Sequence, residues 1–364
     1  MAIETLMLQG VRNLNPLTIT PSPSINIIHG ENGSGKTSLL EAIYYLAYCK
    51  SFRTHKQKNL IQHGSESFTA FCRLGFDKAN YQLGVERNLK GERRIKLNGE
   101  WLQSAAELAT VLPVQLLDPT MFRLLEGSPQ LRREYIDWGV FHVEPNFINV
   151  WRNFKTAHKT RNALLRAGGT SDGERMIWHE SLAKHANVIN EYRKSYMERL
   201  VPVFNHFMQA LNPDLGITLS FYQGWGKDRD YYELLEESWP SDLKMGFTQL
   251  GPQRADLRVK ANGMPAMEVL SRGQQKMAVC ALKLAQAQIY KDVSNRACIF
   301  LVDDLCAELD INHRKALCRL LEDLKCQVFV TAVDADQIAD CWSRESMSCI
   351  SKFHVEHGAL NQNN

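Results

Sequence analysis

Gly30-Glu31-Asn32-Gly33-Ser34-Gly35-Lys36-Thr37 is the stretch from which the rest of the chain is read. It satisfies GxxxxGK[ST] and stands between a compact apolar run at 24–29 and an apolar segment with helical spacing from 37 to about 48. Strand, glycine turn and helix, in that order, are the setting in which the pattern has chemical meaning. The glycines let backbone N–H groups turn inward onto phosphate oxygens, and the start of the helix adds partial positive charge. Lys36 then reaches the β and γ phosphates and Thr37 ligates Mg2+, while Gly30, Glu31, Asn32, Gly33, Ser34 and Gly35 form the cradle. A glycine turn that only caps a helix is the plainer alternative. Ordinary residue usage yields the bare pattern in roughly one chain in a hundred of this length, and the flanking strand and helix make chance remote.

Outward from the loop, 6–17 reads as a strand before it. Residues 69–74, 81–87 and 93–97 alternate polar and apolar, with Asn98-Gly99 a tight turn, so an antiparallel sheet is expected beside the loop. One more core strand is expected at 114–117. From 123 to 239 helical spacing dominates, with Trp151, Phe154, Leu164 and Leu165 on one apolar face. β-type sequence resumes at 246–260, a helix runs over 274–290, and 298–302 and 328–331 are again buried strands. The expected fold is α/β: an ATPase head with a mixed sheet around the loop and an antiparallel β subdomain. It is split into residues 1–122 and 241–364 by a mainly helical lobe at 123–240.

The chain has 364 residues, 44% of them apolar, enough for two lobes and not for disorder. A net charge of +3 from 43 basic and 40 acidic residues confines any nucleic-acid surface to local patches. The nine cysteines include no CxxC pair, which fits reduced core thiols. The N-terminus is not a basic targeting segment, and no stretch approaches the ~20 apolar residues that cross a bilayer. A soluble, cytoplasmic protein with no membrane contact is expected.

Phe300-Leu301-Val302-Asp303-Asp304 is an apolar strand ending in two acids, which presents Asp303 to Mg2+ and Asp304 to an attacking water. Two solvated acids capping a strand are the bland alternative. Ser271-Arg272-Gly273-Gln274-Gln275 precedes a long apolar helix, so Ser271 can cap it and Gly273 leaves room for a phosphate. Taken with Glu308-Leu309-Asp310, the order resembles the Walker A, signature, Walker B and D-loop series of ATP-binding-cassette ATPases. That resemblance implies that Ser271, Arg272, Gly273 and Gln274 of one copy complete the γ-phosphate site of another, with Glu308 and Asp310 in the D-loop, giving an ATP-dependent homodimer.

Within that superfamily, Arg12 and Asn13 after the first strand resemble the SMC, Rad50 and RecF branch, in which this pair approaches the nucleotide. The insertion is short and interrupted by Gly168-Gly169, Pro202 and Pro213, unlike the long coiled coil of SMC proteins. Residues 49–54 (CKSFRT), 124–145 (LLEGSPQLRREYIDWGVFHVEP) and 250–259 (LGPQRADLRV), together with VDDLCAELD, resemble the RecF family over essentially the whole chain. The resemblance implies ATP and Mg2+ as cofactors, and duplex, gapped or single-stranded DNA as a partner. It further implies RecR and RecO as partners in loading RecA, with roles in replication, recombinational repair and the SOS response.

Asp304 stands where most cassettes carry Glu, and Ala332 where transporters carry a switch His. A misplacement of about an ångström can cost ~10²-fold, so weak, DNA-stimulated turnover used as a switch is expected. Gln115 is a candidate sensor of Mg2+ and γ-phosphate, or a buried amide. Arg53 is a candidate link between DNA and hydrolysis, or a surface arginine in a salt bridge. Arg152, Lys155, Lys159, Arg161 and Arg166 on one helix, and Arg53, His55, Lys56 and Lys58 after the first ATPase helix, are candidate phosphate contacts; a basic helix face is also often merely solvated. Two other readings stand beside this one. A P-loop kinase or hydrolase of a small molecule lacks a use for SRGQQ, and a transporter-type ATPase subunit calls for an aromatic near Arg12 and a His at 332.

Overall fold

In the computed structural model, residues 1–76, 79–102, 104–305 and 309–363 are described, and the chain forms two compact units, Met1–Met121 with Cys280–Asn364, and Phe122–Val279. The first unit holds two six-stranded sheets. One is antiparallel and consists of β1 (Ala2–Gln9), β2 (Leu17–Ile19), β4 (Ser67–Phe76), β5 (Ala79–Asn88), β6 (Arg93–Leu97) and β7 (Glu100–Trp101), in the order β2-β1-β4-β5-β6-β7. The turn into β7 is the expected Asn98-Gly99, both in the left-handed region at φ 50° and 87°.

The other sheet consists of β3 (Ile25–His29), β8 (Val114–Leu117), β12 (Ile299–Val302), β13 (Gln327–Ala332), β14 (Ile350–Glu356) and β15 (Ala359–Asn363), ordered β15-β14-β3-β13-β12-β8. All neighbours are parallel except the β14–β15 hairpin. Its central strands β12 and β13 are buried at every position, as parallel strands covered on both faces must be.

The expected strand at 6–17 ends early. β1 stops at Gln9, Gly10 turns at φ 68° and Arg12 at φ 50°, and β2 returns antiparallel with Leu6 opposite Ile19. Apolar residues at Leu8, Val11, Leu14 and Leu17 run through the turn because it is itself packed, with Leu8, Val11 and Leu14 nearly inaccessible, so hydrophobicity did not mark the break. Helix α1 (Lys36–Tyr48) is inaccessible along most of its length, and Leu39, Ile43 and Tyr45 share one core cluster with Leu6 and Phe68 of the first sheet and Leu301 and Phe329 of the second. A helix apolar on nearly all sides belongs between layers. Each fully buried Leu, Ile or Phe contributes about 1.5–3 kcal/mol, so the helix behind the glycine loop is firmly held. Helix α2 (Ala105–Val111) is capped by Ser104, which accepts from the Ala106 N–H at 3.2 Å.

The second unit carries α3 (Arg123–Glu126), α4 (Pro129–Val143), α5 (Phe147–Arg166), α6 (Asp172–Leu211) and α7 (Tyr231–Met245). Pro202, read as an interruption, lies inside α6, which ends just before Pro213. The unit is not purely helical. Strands β9 (Ile217–Tyr222), β10 (Asp256–Ala261) and β11 (Met264–Pro265) form a sheet in which Ile217, Leu219 and Phe221 face Ala261, Val259 and Leu257. This pairing holds the chain in the second unit past the expected boundary at 240, through α8 (Ala266–Val269) and into α9 (Arg272–Ser294), so the unit ends at Val279. Of the β-type segment 246–260, only Asp256 onward is strand.

Candidate nucleotide site

The parallel register gathers the chemistry at one edge of the second sheet. Leu117, Val302, Val330 and Ile27 lie side by side across β8, β12, β13 and β3, so the residues just beyond them emerge together at the strands' C-terminal ends. That edge is where open α/β sheets place their ligands. Two glycines of the loop have no substitute. A Cβ on Gly30, at φ 142°, would stand 2.2 Å from the Val355 carbonyl oxygen, and one on Gly35, at φ 125°, 2.7 Å from Leu14.

Gly35 caps α1 without a side-chain hydrogen bond, leaving the first N–H groups of the helix directed into the loop. Lys36 Nζ donates to the Gly30 and Glu31 carbonyls at 2.7 and 2.8 Å, which holds the ammonium within the cradle. Burial lowers its pKa, and Asp304 and Asp303 oppose that shift. The Ser34 hydroxyl is buried in the same loop with no partner among the described residues. An uncapped helix start, a buried ammonium and an orphaned hydroxyl form a donor set suited to phosphate oxygens.

Thr37 Oγ1 donates to Asp303 Oδ1 at 3.0 Å, and Thr331 Oγ1 donates to the same oxygen at 2.8 Å. Thr331 also accepts from the Asp304 N–H at 2.8 Å, so one threonine sets both acids. Asp304 sits at φ 53°, a left-handed position that β-branched residues avoid and Asp tolerates. Burial raises the Asp303 carboxyl above the usual carboxylate range, and the hydrogen bonds from Thr331 and Thr37 pull it back. A hydroxyl and a carboxylate meeting at one point are hard oxygen donors of the kind Mg2+ takes, so Thr37 and Asp303 fit that ion.

Asn13 braces the loop from outside: Nδ2 donates to the Gly33 carbonyl at 3.1 Å and Oδ1 accepts from Ser38 at 3.0 Å. Arg12 pairs bidentately with Glu41 at 2.9 and 2.8 Å. These groups surround a cleft of about 570 Å³ whose lining includes Arg12, Asn13, Lys36, Thr37, Asp303 and Asp304. Asn32, Gly33 and Gly35 line it as well, whereas the exposed Glu31 contributes only its carbonyl, to Lys36.

Arg53 also lines this cleft, 3.6 Å from Glu41 with its side chain 45% exposed, so it stands at the nucleotide edge. Gln115 does not reach the cleft. It is the second residue of β8, opposite Phe300, and its amide donates to Gln286 at 3.3 Å in the core. Of the two readings of Gln115, the geometry matches the buried amide and not the sensor, because its mid-strand side chain lies in the core away from the strand end.

Ser271 and Gln274 form a reciprocal cap on α9. The Gln274 N–H donates to Ser271 Oγ at 3.3 Å, and Ser271 N–H donates to Gln274 Oε1 at 2.9 Å. Gly273 is exposed, with open space where a Cβ would go. Arg272 pairs with Glu126 at 2.6 Å and lies over the Phe122 ring at 4.2 Å. Asp310 caps the helix Ile311–Asp323, accepting from the N–H groups of Asn312 and His313, and His313 holds its carboxyl below the usual range. Glu308 lies outside the described residues.

Of the DNA candidates, Lys56 and Lys58 in the first unit and Lys155 and Lys159 in the second are exposed, as are Arg152 and Arg166. Arg161 is not available. Its side chain has no exposure and donates to Asp242 at 2.8 Å, Thr248 at 2.7 Å and His179 at 3.0 Å. It shares a helix with the exposed lysines but faces the core, a distinction that the repeat of basic residues alone does not carry. Sequence reasoning also passed over Glu41, Ser38, Asn59 and Thr331, which surround the cleft or support it. The signal for Glu41 was there: a lone acid one turn past Thr37 in an otherwise apolar helix.

Residues 2–358 match the family model described as RecF/RecN/SMC N terminal domain. The chain is 47% identical over 363 residues to the DNA replication and repair protein RecF of Stutzerimonas stutzeri (strain A1501), covering 100% of this chain and 98% of the relative. It is 46% identical, with the same coverage, to the protein of that name from Pseudomonas aeruginosa (strain LESB58). Among solved structures, the recombination mediator protein RecF-ATP of the RecFOR pathway superposes with a TM-score of 0.88 at 24% identity, covering 100% of this chain and 98% of that one. An SMC head bound to the C-winged helix domain of ScpA superposes at 0.60 and 17% identity, with the same coverage.

Proposed function

Because the chain belongs to the RecF family within the RecF/RecN/SMC group, we propose that it binds ATP·Mg between two copies of itself and uses that state to clamp DNA during recombinational gap repair. The observation that carries the reading is the Thr37–Asp303–Thr331 junction beside Lys36, where the glycine loop and the paired acids share one edge of one sheet.

Lys36 and the N–H groups of the loop hold the β and γ phosphates. Thr37 and Asp303 hold Mg2+, which when bound neutralises phosphate charge. Asp304 orients and deprotonates water, placed by its N–H bond to Thr331. The exposed Ser271–Gln274 cap of a second copy closes the site over the γ-phosphate. A nucleotide that bridges two chains stabilises the dimer and not the monomer, so hydrolysis releases the clamp. The short acid at Asp304 and Ala332 at the switch position make turnover slow, a timer in place of a motor.

The exposed lysines follow the duplex backbone without reading bases. RecR, RecO and RecA loading, together with roles in replication and SOS induction, come to this chain from its RecF relatives. Anisotropy of a fluorescent gapped duplex tests the reading: binding strengthens with ATP·Mg and weakens after hydrolysis. Equal binding with and without nucleotide contradicts it.

A further inference from the structure

Glu41, the acid that pairs with two arginines lining the cleft, has no task in the nucleotide reading. It sits inside α1, one turn beyond Thr37, and its side chain has no exposure. A carboxylate in such a place persists only when it is paired and hydrogen-bonded. Glu41 is heavily paired. Arg12 donates Nε and Nη2 to it at 2.9 and 2.8 Å, the Ser51 hydroxyl donates to it, and Arg53 Nη1 stands 3.6 Å away. Ser51 Oγ in turn accepts the N–H groups of Arg53 and Thr54 at 3.0 Å each, so the same junction fixes the loop that carries Arg53.

Arg12 follows β1 and Arg53 follows α1, yet both line the phosphate cleft. Two guanidinium groups brought together repel and turn outward to water unless an anion stands between them. Glu41 is that anion, and its single negative charge against two positive ones leaves one positive charge directed at the cleft. The two arginines are also held unequally. Arg12 is in a bidentate fork with a side chain 20% exposed, whereas Arg53 is at longer range and 45% exposed.

We infer that Glu41 is a positioning residue that, from within α1, pins Arg12 and tethers Arg53 at the cleft so that their excess positive charge meets the phosphates of the nucleotide. This inference rests on the nucleotide reading above. It predicts a hierarchy: Arg12 is the fixed contact and Arg53 the one that moves.

Fluorescence titration with methylanthraniloyl-ATP and Mg2+ tests it, with a thermal melt of every variant. Glu41→Gln, nearly the same shape without the charge, is expected to bind about tenfold more weakly, and Glu41→Asp about threefold, on the scale of one charge-assisted hydrogen bond. In the Arg12→Gln, Arg53→Gln background, adding Glu41→Gln is expected to cost less than twofold, because Glu41 acts through those two arginines. Equal affinity of the three side chains at position 41 overturns the inference. So does the same tenfold loss in both backgrounds, which marks a role independent of the two arginines. Should the parent chain fail to bind the probe, or bind it equally after Lys36→Ala, the nucleotide reading itself fails, and that outcome is distinct from either result at Glu41.

Discussion

In the first unit one group of charged side chains rings an open cleft; in the second, another group is sealed inside. Around the cleft, Arg12, Arg53 and Lys36 face Glu41, Asp303 and Asp304, and several of these groups are held by partners that a ligand can replace. Lys36 bonds two loop carbonyls, and Arg53 only approaches its acid. In the second unit, Arg161 and Asp242 both have no side-chain exposure, and Thr248, His179 and the Leu235 carbonyl accept further bonds from Arg161. One arrangement is poised for a ligand and the other fixes a fold. The difference lies in whether solvent and partner groups leave the charge something to gain.

Removing Arg161 is the strongest way to break the comparison. Arg161→Ala leaves Asp242 buried without its cation and is expected to destabilise the protein by about 3–5 kcal/mol, read by denaturant melts. Exposed Lys159 on the same helix is expected to change stability by less than about 0.5 kcal/mol when replaced by Ala. If Arg161→Ala melts like the parent, the sealed network carries no structural weight.

Lys36→Ala works at the cleft, where it is expected to weaken ATP·Mg binding by about 10²-fold or more with little change in melting, since it removes a charge from the ligand and not from a core pair. Titration calorimetry reads the loss of binding, and a thermal melt reads the stability.

Acid acts on the sealed network through His179. Burial, and then the neighbouring Arg161, lower His179 to about 4, with Glu236 at 2.6 Å opposing the shift. The unfolded chain takes up that proton near pH 6.5 while the folded chain refuses it until about pH 4. Stability supplied by neutral His179 is therefore complete above 6.5 and is lost as pH falls toward 4, at most about 3 kcal/mol. His179→Gln should flatten that part of the pH–stability curve; an unchanged slope would assign it elsewhere. The smallest effect concerns DNA. Lys155→Ala and Lys159→Ala should each reduce the salt slope of duplex binding by about one, with no preference for sequence.

Local patterns in the chain could be read in advance; neighbours from distant segments could not. The glycine loop, the strands at 24–29, 114–117 and 298–302 and the antiparallel hairpins were legible because their spacing and turn residues are local. The neighbours Thr37, Asp303 and Thr331 come from three distant segments, and only the parallel register unites them. Arg161 and Lys159 looked alike because a basic repeat does not say which face the neighbouring helices cover. β9 was hidden for a related reason: its partner, β10, lies far along the chain.

The proposed clamp requires one triphosphate to be gripped by two copies. Small-angle scattering of the parent chain and of Ser271→Arg, each under saturating ATP·Mg, tests this most directly. The expected result is a dimer for the parent that dissociates after hydrolysis, and a monomer that still binds nucleotide for Ser271→Arg. A parent that stays monomeric with nucleotide bound, or a Ser271→Arg chain that dimerises normally, would contradict it.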